Sequence, residues 1–204
     1  MKRFLKAAIA AAFLATSSVS ALAGNFSFSG NLAGDNDVEL LSFTLASTSD
    51  VTLRTWSYAG GTNAVGNLIA AGGFDSIVSL FYGTGSPALL IGANDDGVGV
   101  PVDLSTGNAF DSLLEFFALP AGEYTVALSE FDNFANGPTL GDGFLGVGNL
   151  NFDGRTSAWA LDILGVDNAS VPLPGTLALV MLGLAAAGVT RRRPILVSAL
   201  RGAA

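Results

Sequence analysis

Hydrophobic and polar residues alternate with a period of two along much of the chain, which is typical of β-strands that bury one face. In residues 123–131, for example, Tyr124, Val126 and Leu128 alternate with smaller or polar residues. Such segments are rich in Phe, Leu, Val and Thr, and they are bounded by Gly, Asn and Asp, which favour turns. The pattern predicts strands at residues 25–32, 40–46, 50–58, 76–82, 88–93, 112–119, 123–131 and 157–166.

The middle of the chain, residues 24–168, shows no amphipathic pattern long enough for a helix of useful length. Many short strands joined by short turns favour an all-β fold, namely an antiparallel, jelly-roll-like β-sandwich. Two connections, 60–73 and 133–153, are longer and rich in Gly. We expect these two segments to be mobile or to carry a site.

The first 23 residues have a different pattern, with basic residues before a short apolar segment. Lys2, Arg3 and Lys6 precede the apolar residues 7–14, and Ala21-Leu22-Ala23 fits a small-residue cleavage site. These features predict a helical signal peptide over 1–23. Cleavage after Ala23 would make Gly24 the first residue of the mature chain.

Near the other end lies an uncharged apolar segment, 177–190, for which we predict a transmembrane helix. A helix over the 16 residues from Gly175 to Thr190 would cover about 24 Å of a roughly 30 Å hydrocarbon core. That length suits a temporary anchor. The arginines that follow predict a basic cytoplasmic tail at 191–204. Residues 169–176, with two prolines, are expected to form a stiff spacer.

Between these ends the chain is strongly acidic. All 17 acidic residues lie between Asp35 and Asp167, whereas Arg54 and Arg155 are the only basic residues from 24 to 170, so this body carries a formal charge of −15. Such a charge excludes binding to nucleic acid. It is compatible with divalent cations, basic partners or simple solubility.

The residue types that are missing narrow the chemistry further. The sequence has no His and no Cys, and the body has no Lys. Nucleophilic sites that need these residues are excluded, as are His/Cys zinc sites. Carboxylate chemistry remains, such as a glycosidase pair formed by Asp95 with Glu115 or Asp132. We predict that the protein is not an enzyme.

Several carboxylates fall in predicted turns, where a cation could collect them. We predict calcium as a possible cofactor, since Ca²⁺ prefers six to eight oxygen ligands. The spacing matches no EF-hand, and Asp and Asn also favour turns for backbone reasons alone. The candidate ligands are Asp35, Asp37, Asp75, Asp95, Asp96 and Asp132.

The C-terminal pattern resembles the PEP-CTERM sorting signal of Gram-negative bacteria, in its Val-Pro-Leu-Pro variant. The resemblance is carried by Val171, Pro172, Leu173, Pro174, Gly175 and Thr176, by the apolar segment, and by Arg191, Arg192 and Arg193. It implies export, a transient anchor in the inner membrane and processing by an exosortase, a membrane-embedded enzyme. The implied destination is the cell envelope or an extracellular matrix.

The body is similar to the bacterial pre-peptidase C-terminal domain, and more closely to the exported PEP-CTERM proteins labelled DVUA0089. The resemblance rests on the order of Gly34-Asp35-x-Asp37, Ser42-Phe43-x-Leu45, Val51-x-Leu53-x-Thr55, Asp75-x-x-x-Ser79-Leu80-Phe81, Asn94-Asp95-Asp96-Gly97 and Leu119-Pro120-Ala121-Gly122-Glu123-Tyr124. It implies a non-catalytic β-sandwich, of a kind that in some cases binds calcium or polymer surfaces.

Together these patterns predict a non-enzymatic, exported envelope or matrix protein whose sandwich binds calcium or polysaccharide. Its expected partners are the export machinery and an exosortase, with the membrane contacted through the C-terminal helix. Trp56, Tyr58 and Trp159 offer aromatic faces for sugars if they are exposed. A glycan-binding or ice-binding surface protein and a carboxylate-dependent glycoside hydrolase remain as alternatives.

Overall fold

A computed structural model describes residues 24–171 of the chain. The predicted signal peptide, with Ala21 and Ala23, lies outside the described residues. So do the sorting-signal residues from Pro172 onward, the predicted transmembrane segment 177–190 and the basic tail. Within residues 24–171, no helix is both long and apolar enough to cross a membrane.

The described residues form an all-β fold, as the alternation predicts. Each predicted strand is present with bounds that differ by at most three residues, whereas the short strands β4, β5 and β11 were not predicted. The strands are β1 Gly24–Asn31, β2 Glu39–Leu45, β3 Ser49–Thr55, β4 Gly61–Thr62, β5 Leu68–Ile69, β6 Ser76–Tyr82, β7 Leu89–Asn94, β8 Leu113–Leu119, β9 Gly122–Glu130, β10 Ala158–Val166 and β11 Asn168–Ser170.

Two antiparallel sheets make up a sandwich. One sheet has the order β1-β10-β3-β8, and the other has the order β11-β2-β9-β6-β7. A separate hairpin, β4–β5, lies within the Gly-rich connection 60–73. Because neighbours in both sheets are mostly distant in sequence, the fold is held by long-range pairing rather than by consecutive hairpins.

Side chains of alternate residues in the two sheets meet in one hydrophobic core. Leu53 and Ile163 of the first sheet and Phe43 and Leu128 of the second are almost fully buried in the same cluster. These residues occupy the apolar phase of the alternation. The period-two pattern therefore predicted the inner faces of both sheets.

The long connection after β9 covers the outer face of the second sheet. Phe81 of β6 and Ala127 of β9 point to that face and pack against Leu140 and Phe144 of the connection. Two short 3₁₀ turns, Leu140–Asp142 and Asn151–Gly154, shape this segment. Strand β6 is consequently buried on both faces.

The last strand ties the C-terminal end of the body into the sandwich. β11 pairs with β2, with Ala169 opposite Phe43. The strand crosses the predicted boundary between the body, 24–168, and the spacer, 169–176. Val171 follows it directly and is exposed.

The strand register brings several turns to one end of the second sheet. Glu39, at the start of β2, pairs with Leu128 near the end of β9, and Glu130 of β9 pairs with Ser76 at the start of β6. Val78 of β6 in turn pairs with Asn94, the last residue of β7. At this edge of the second sheet β2 and β6 begin and β7 and β9 terminate. We call it the acidic end.

Candidate functional site

All six predicted calcium ligands lie in turns at the acidic end. Asp35 and Asp37 precede β2, Asp75 precedes β6, Asp95 and Asp96 follow β7, and Asp132 follows β9. Within the described part of the chain, however, no three His, Cys, Asp or Glu side chains are grouped so that they could hold a metal ion directly. The turns therefore concentrate negative charge at this end, but their side chains do not form a group that could chelate a metal ion.

Asp35 uses its carboxylate to hold another loop. One oxygen accepts a hydrogen bond from the backbone N–H of Asn151 at 2.6 Å, and the other accepts one from Phe152 at 3.1 Å. Next to it, Asn36 accepts hydrogen bonds from Val147 and Gly148 through its side-chain oxygen. The turn before β2 therefore anchors the end of the connection that carries residues 146–152.

The other predicted ligands differ in their surroundings. Asp37, Asp96 and Asp132 are exposed, whereas Asp75 and Asp95 are half-buried. Asp95 accepts a hydrogen bond from the N–H of Asp96 at 2.9 Å, which is a local turn contact. Partial burial and the neighbouring Asp95 raise the pKa of Asp96.

Buried polar residues replace the hydrophobic core at this end of the sandwich. Thr55, at the end of β3, donates to the carboxylate of Asp111 at 2.9 Å and accepts from the hydroxyl of Ser76 at 2.8 Å. Asp111 also accepts hydrogen bonds from the N–H groups of Tyr58 and Ala59. These contacts join the two sheets and satisfy the Asp111 carboxylate.

Beside this network lies a cavity of about 210 Å³, which we call the carboxylate cavity. Three carboxylates line it, those of Asp75, Glu130 and Asp153. The remaining wall is formed by Tyr58, Thr106, Phe110, Phe152 and Arg155.

Two residues of the cavity lining, Asp75 and Glu130, each have a buried carboxylate oxygen without a hydrogen-bond partner in the described residues. Glu130 is only 2% exposed, and its Oε2 has no hydrogen-bond partner among residues 24–171. Over the same residues, Oδ1 of Asp75 is likewise buried without a partner. A buried polar atom left unpaired costs about 1–3 kcal/mol, and more when it is charged. The two side chains are therefore in an unfavourable state unless a proton or a ligand compensates them.

Both carboxyl groups hold their protons unusually tightly. Burial raises the pKa of Asp75 to about 8, and the nearby carboxylates of Asp96, Asp95, Asp111 and Asp153 add to the effect. Burial raises the pKa of Glu130 to about 7, with further contributions from Asp35 and Asp153. Perturbed carboxyl groups that share a cavity are typical of functional sites, although structural networks also produce them.

The arginine in the cavity wall does not offset this negative charge, because it is already engaged. Arg155 donates to the carbonyl oxygens of Gly73 and Tyr58 and forms a 2.7 Å ion pair with Asp103. Its guanidinium also stacks on the ring of Tyr58, 3.6 Å from the centroid. A hydrogen bond from the Ser105 hydroxyl, followed by that from Arg155, lowers the pKa of Asp103 to about 2. Arg155 therefore serves as a tie between loops.

The aromatic residues considered for sugar binding are mostly buried. Tyr58 is 4% exposed and Trp159 is 5% exposed, while Trp56 is half-buried beneath the guanidinium of Arg54 at 3.8 Å. None of the three presents a free, flat face. Their burial does not support sugar stacking at these positions.

The sequence prediction missed Glu130 and Asp153 as site residues. Glu130 had a recognisable signal, because it continues the inward phase of Tyr124, Val126 and Leu128 on β9. A carboxylate on the buried phase of a strand is uncommon unless it has a partner or a function. Asp153 had no such signal, since only the tertiary fold brings its 3₁₀ turn to the cavity.

Comparison with known proteins concerns the C-terminal segment. Residues 170–193 match the PEP-CTERM protein-sorting motif, which confirms the resemblance of that segment to a sorting signal. The match leaves the pre-peptidase-like resemblance of the body a prediction. A search of curated proteins finds no significant match to the chain. A motif of this kind marks a protein that is exported and sorted through an exosortase to the envelope or the extracellular surface.

Proposed function

We propose that this chain is a non-enzymatic component of the cell envelope or extracellular matrix, delivered there by exosortase processing. The observation that carries the proposal is the position of the sorting motif. The motif begins at Ser170, the last residue of β11, so the sorting segment follows the folded sandwich with no further domain between them. The sandwich is thus the cargo that the motif addresses.

The carboxylate cavity supports binding rather than glycoside hydrolysis. Its volume of about 210 Å³ is below the roughly 300–1,000 Å³ of ordinary ligand pockets. A glycosidase must hold sugar units on both sides of the scissile bond between its two acids. The pair considered in the sequence, Asp95 with Glu115, is also divided between the turn after β7 and the middle of β8.

We propose calcium as the bound cofactor of the acidic end. Support comes from the −15 charge of the body, from the six predicted carboxylates that converge there, and from the unpaired oxygens of Asp75 and Glu130. Calorimetry on the exported protein should detect Ca²⁺ binding, and chelation should lower the melting temperature. An unchanged melting temperature together with no heat of binding would remove calcium from the proposal.

Cell fractionation with mass spectrometry of the mature protein tests the delivery step. We expect a chain that begins near Gly24, lacks Arg191–Arg193 and is recovered from the envelope or the medium. A mature envelope protein that retains these arginines would overturn processing by an exosortase. Pull-down with the host's own polysaccharide tests the matrix partner, for which the structure offers no exposed aromatic face at Tyr58 or Trp159.

A further inference from the structure

The carboxylate cavity contains a specific arrangement beyond the general excess of negative charge at the acidic end. Glu130 is only 2% exposed and lines the cavity, and its Oε2 is buried without a hydrogen-bond partner within the described chain. Asp75 lines the same cavity and also has a buried oxygen, Oδ1, left without a donor in the 24–171 segment. Two carboxylates that line one cavity, each with an oxygen that lacks a donor, are stabilised by a positively charged or proton-donating occupant.

We propose that one hydrated divalent cation of the calcium type occupies this cavity, bound by the carboxylates of Asp75 and Glu130. The inference rests on the proposed binding of calcium by the acidic end and assigns that binding to one place. Of this pair, only Asp75 belongs to the ligands predicted from the sequence.

The size of the cavity fits a cation that keeps part of its water shell. A volume of about 210 Å³ corresponds to roughly seven water molecules at about 30 Å³ each. Calcium takes six to eight oxygens, including waters, with flexible geometry. Asp75 and Glu130 can therefore bind the cation directly, while water supplies the remaining ligands and is held by the Asp153 carboxylate and the Thr106 hydroxyl at the cavity wall. This arrangement agrees with the lack of three directly chelating side chains in the described residues.

The charge around the cavity selects a cation over an anionic or neutral ligand. The carboxylates of Asp95, Asp96, Asp111 and Asp153 lie near Asp75, and those of Asp35 and Asp153 lie near Glu130. Arg155 is the cation in the wall, and its ion pair with Asp103 leaves the charge of Asp75 and Glu130 uncompensated. A divalent cation neutralises both carboxylates at once.

Isothermal calorimetry on the mature exported protein tests the site with CaCl₂ and, in parallel, MgCl₂. We expect one cation per chain, and about tenfold weaker binding in Asp75→Asn and in Glu130→Gln. Asp37→Asn and Asp132→Asn remove one exposed carboxylate each from the same end, and they should change affinity by only about twofold.

The four variants separate this site from general attraction to the acidic end. If all four weaken binding equally, the assignment to the cavity is overturned while calcium binding by the acidic end stands. If the wild-type protein binds neither cation, both proposals on calcium fail, and delivery to the envelope is judged separately by fractionation. Circular dichroism of each variant verifies that lost affinity does not reflect unfolding. A weakened but folded Glu130→Gln protein supports the site.

Discussion

At the scale of single residues, Glu130 places an unpaired carboxylate inside the sandwich at a cost in stability. Its backbone continues the regular pairing of β9 with β6, opposite Ser76. Its side chain, however, puts a carboxylate where the same phase of the strand otherwise carries Tyr124, Val126 and Leu128. The strand is therefore apolar until the cavity begins, and it ends in an acid that the fold leaves unpaired.

Replacing Glu130 with Gln should stabilise the cation-free protein at alkaline pH. Because the folded-state pKa of Glu130 is about 7 against an ordinary value of 4.5, the folded protein binds more protons, and its stability falls as pH rises through this range. At pH 8.5 with a chelator, the free energy of unfolding of Glu130→Gln should exceed that of wild type by about 1–3 kcal/mol, since one pKa unit corresponds to about 1.4 kcal/mol.

Urea unfolding at pH 4 and pH 8.5 measures this difference. At pH 4 both proteins carry a neutral group at position 130, so their stabilities should be close. Because Glu130→Gln should bind calcium about tenfold more weakly, saturating calcium at pH 8.5 should stabilise wild type by about 1.4 kcal/mol more than the variant and so narrow the difference between them. Asp132→Asn, which removes an exposed carboxylate, is the control and should follow wild type. A Glu130→Gln protein that is less stable than wild type at every pH would contradict the unpaired state of the carboxylate.

Asp103 contributes stability that depends on pH in the opposite direction to that of Glu130. Its folded-state pKa of about 2 lies below the ordinary 3.8, because Ser105 and Arg155 hydrogen-bond to the charged form. The stabilisation is fully present above pH 4 and is lost as pH falls through about 2. Asp103→Asn should therefore unfold with a shallower dependence on pH between 4 and 2, as followed by circular dichroism. If Asp103→Asn and wild type lose stability equally between pH 4 and pH 2, the ion pair does not contribute to folding stability.

At the scale of structural elements, the loops of the acidic end are held by a few polar side chains rather than by regular pairing. Asp35 and Asn36 hold the end of the connection after β9, and Asp111 holds the turn after β3. Arg155 joins the segment before β10 to Gly73 and to Asp103. The cavity walls are therefore positioned by tertiary hydrogen bonds, each of which can be removed singly.

Arg155→Lys should destabilise the protein more than its charge conservation suggests. A lysine cannot donate to the carbonyl oxygens of Gly73 and Tyr58 and to Asp103 with the geometry of a guanidinium. Loss of these contacts at a largely buried site should cost about 2–4 kcal/mol in the free energy of unfolding. Thermal melting measures the loss.

Arg54→Lys is the matched control, because Arg54 is the other basic residue of the body and likewise stacks on an aromatic ring, that of Trp56. Residues 24–171 show no hydrogen bond from its Nε. Its replacement should cost about 1 kcal/mol or less. Equal losses in the two variants would show that Arg155 acts only through its stacking on Tyr58.

At the scale of the whole molecule, the sequence predicted the features that depend on local residue pattern. It did not predict the contacts that depend on how distant strands and loops come together. The alternation predicted the eight long strands because each carries its own buried face, whereas β4, β5 and β11 are too short to show a period. Asp75, one of the predicted calcium ligands, lines the cavity. Asp35 looked equivalent in sequence, yet its carboxylate is occupied by amides 116 and 117 residues later in the chain. Only the folded arrangement separates these two acids.

The arrangement of body and sorting segment leads to a prediction about export. β11 fixes the chain to β2 as far as Ser170, and the exposed Val171 follows as the first residue of the Pro-containing segment. The processing machinery must therefore act immediately beside a folded surface, on a short apolar segment. If the segment enters the membrane as the sorting signal implies, the arginines that follow it, rather than its length, should hold it there.

Replacing Arg191, Arg192 and Arg193 together by Gln should make the unprocessed precursor the major species. A segment of 16 residues is marginal for a roughly 30 Å core, so without the basic stop it should pass through or slip out of the membrane before cleavage. Arg201→Gln is the matched control, since Arg201 lies beyond the motif at 170–193. Intact-mass measurement of each cell fraction should find normal processing for Arg201→Gln. If the triple variant is cleaved and located like wild type, the arginines do not retain the apolar segment in the membrane. The Pro-containing residues before that segment must then suffice for recognition.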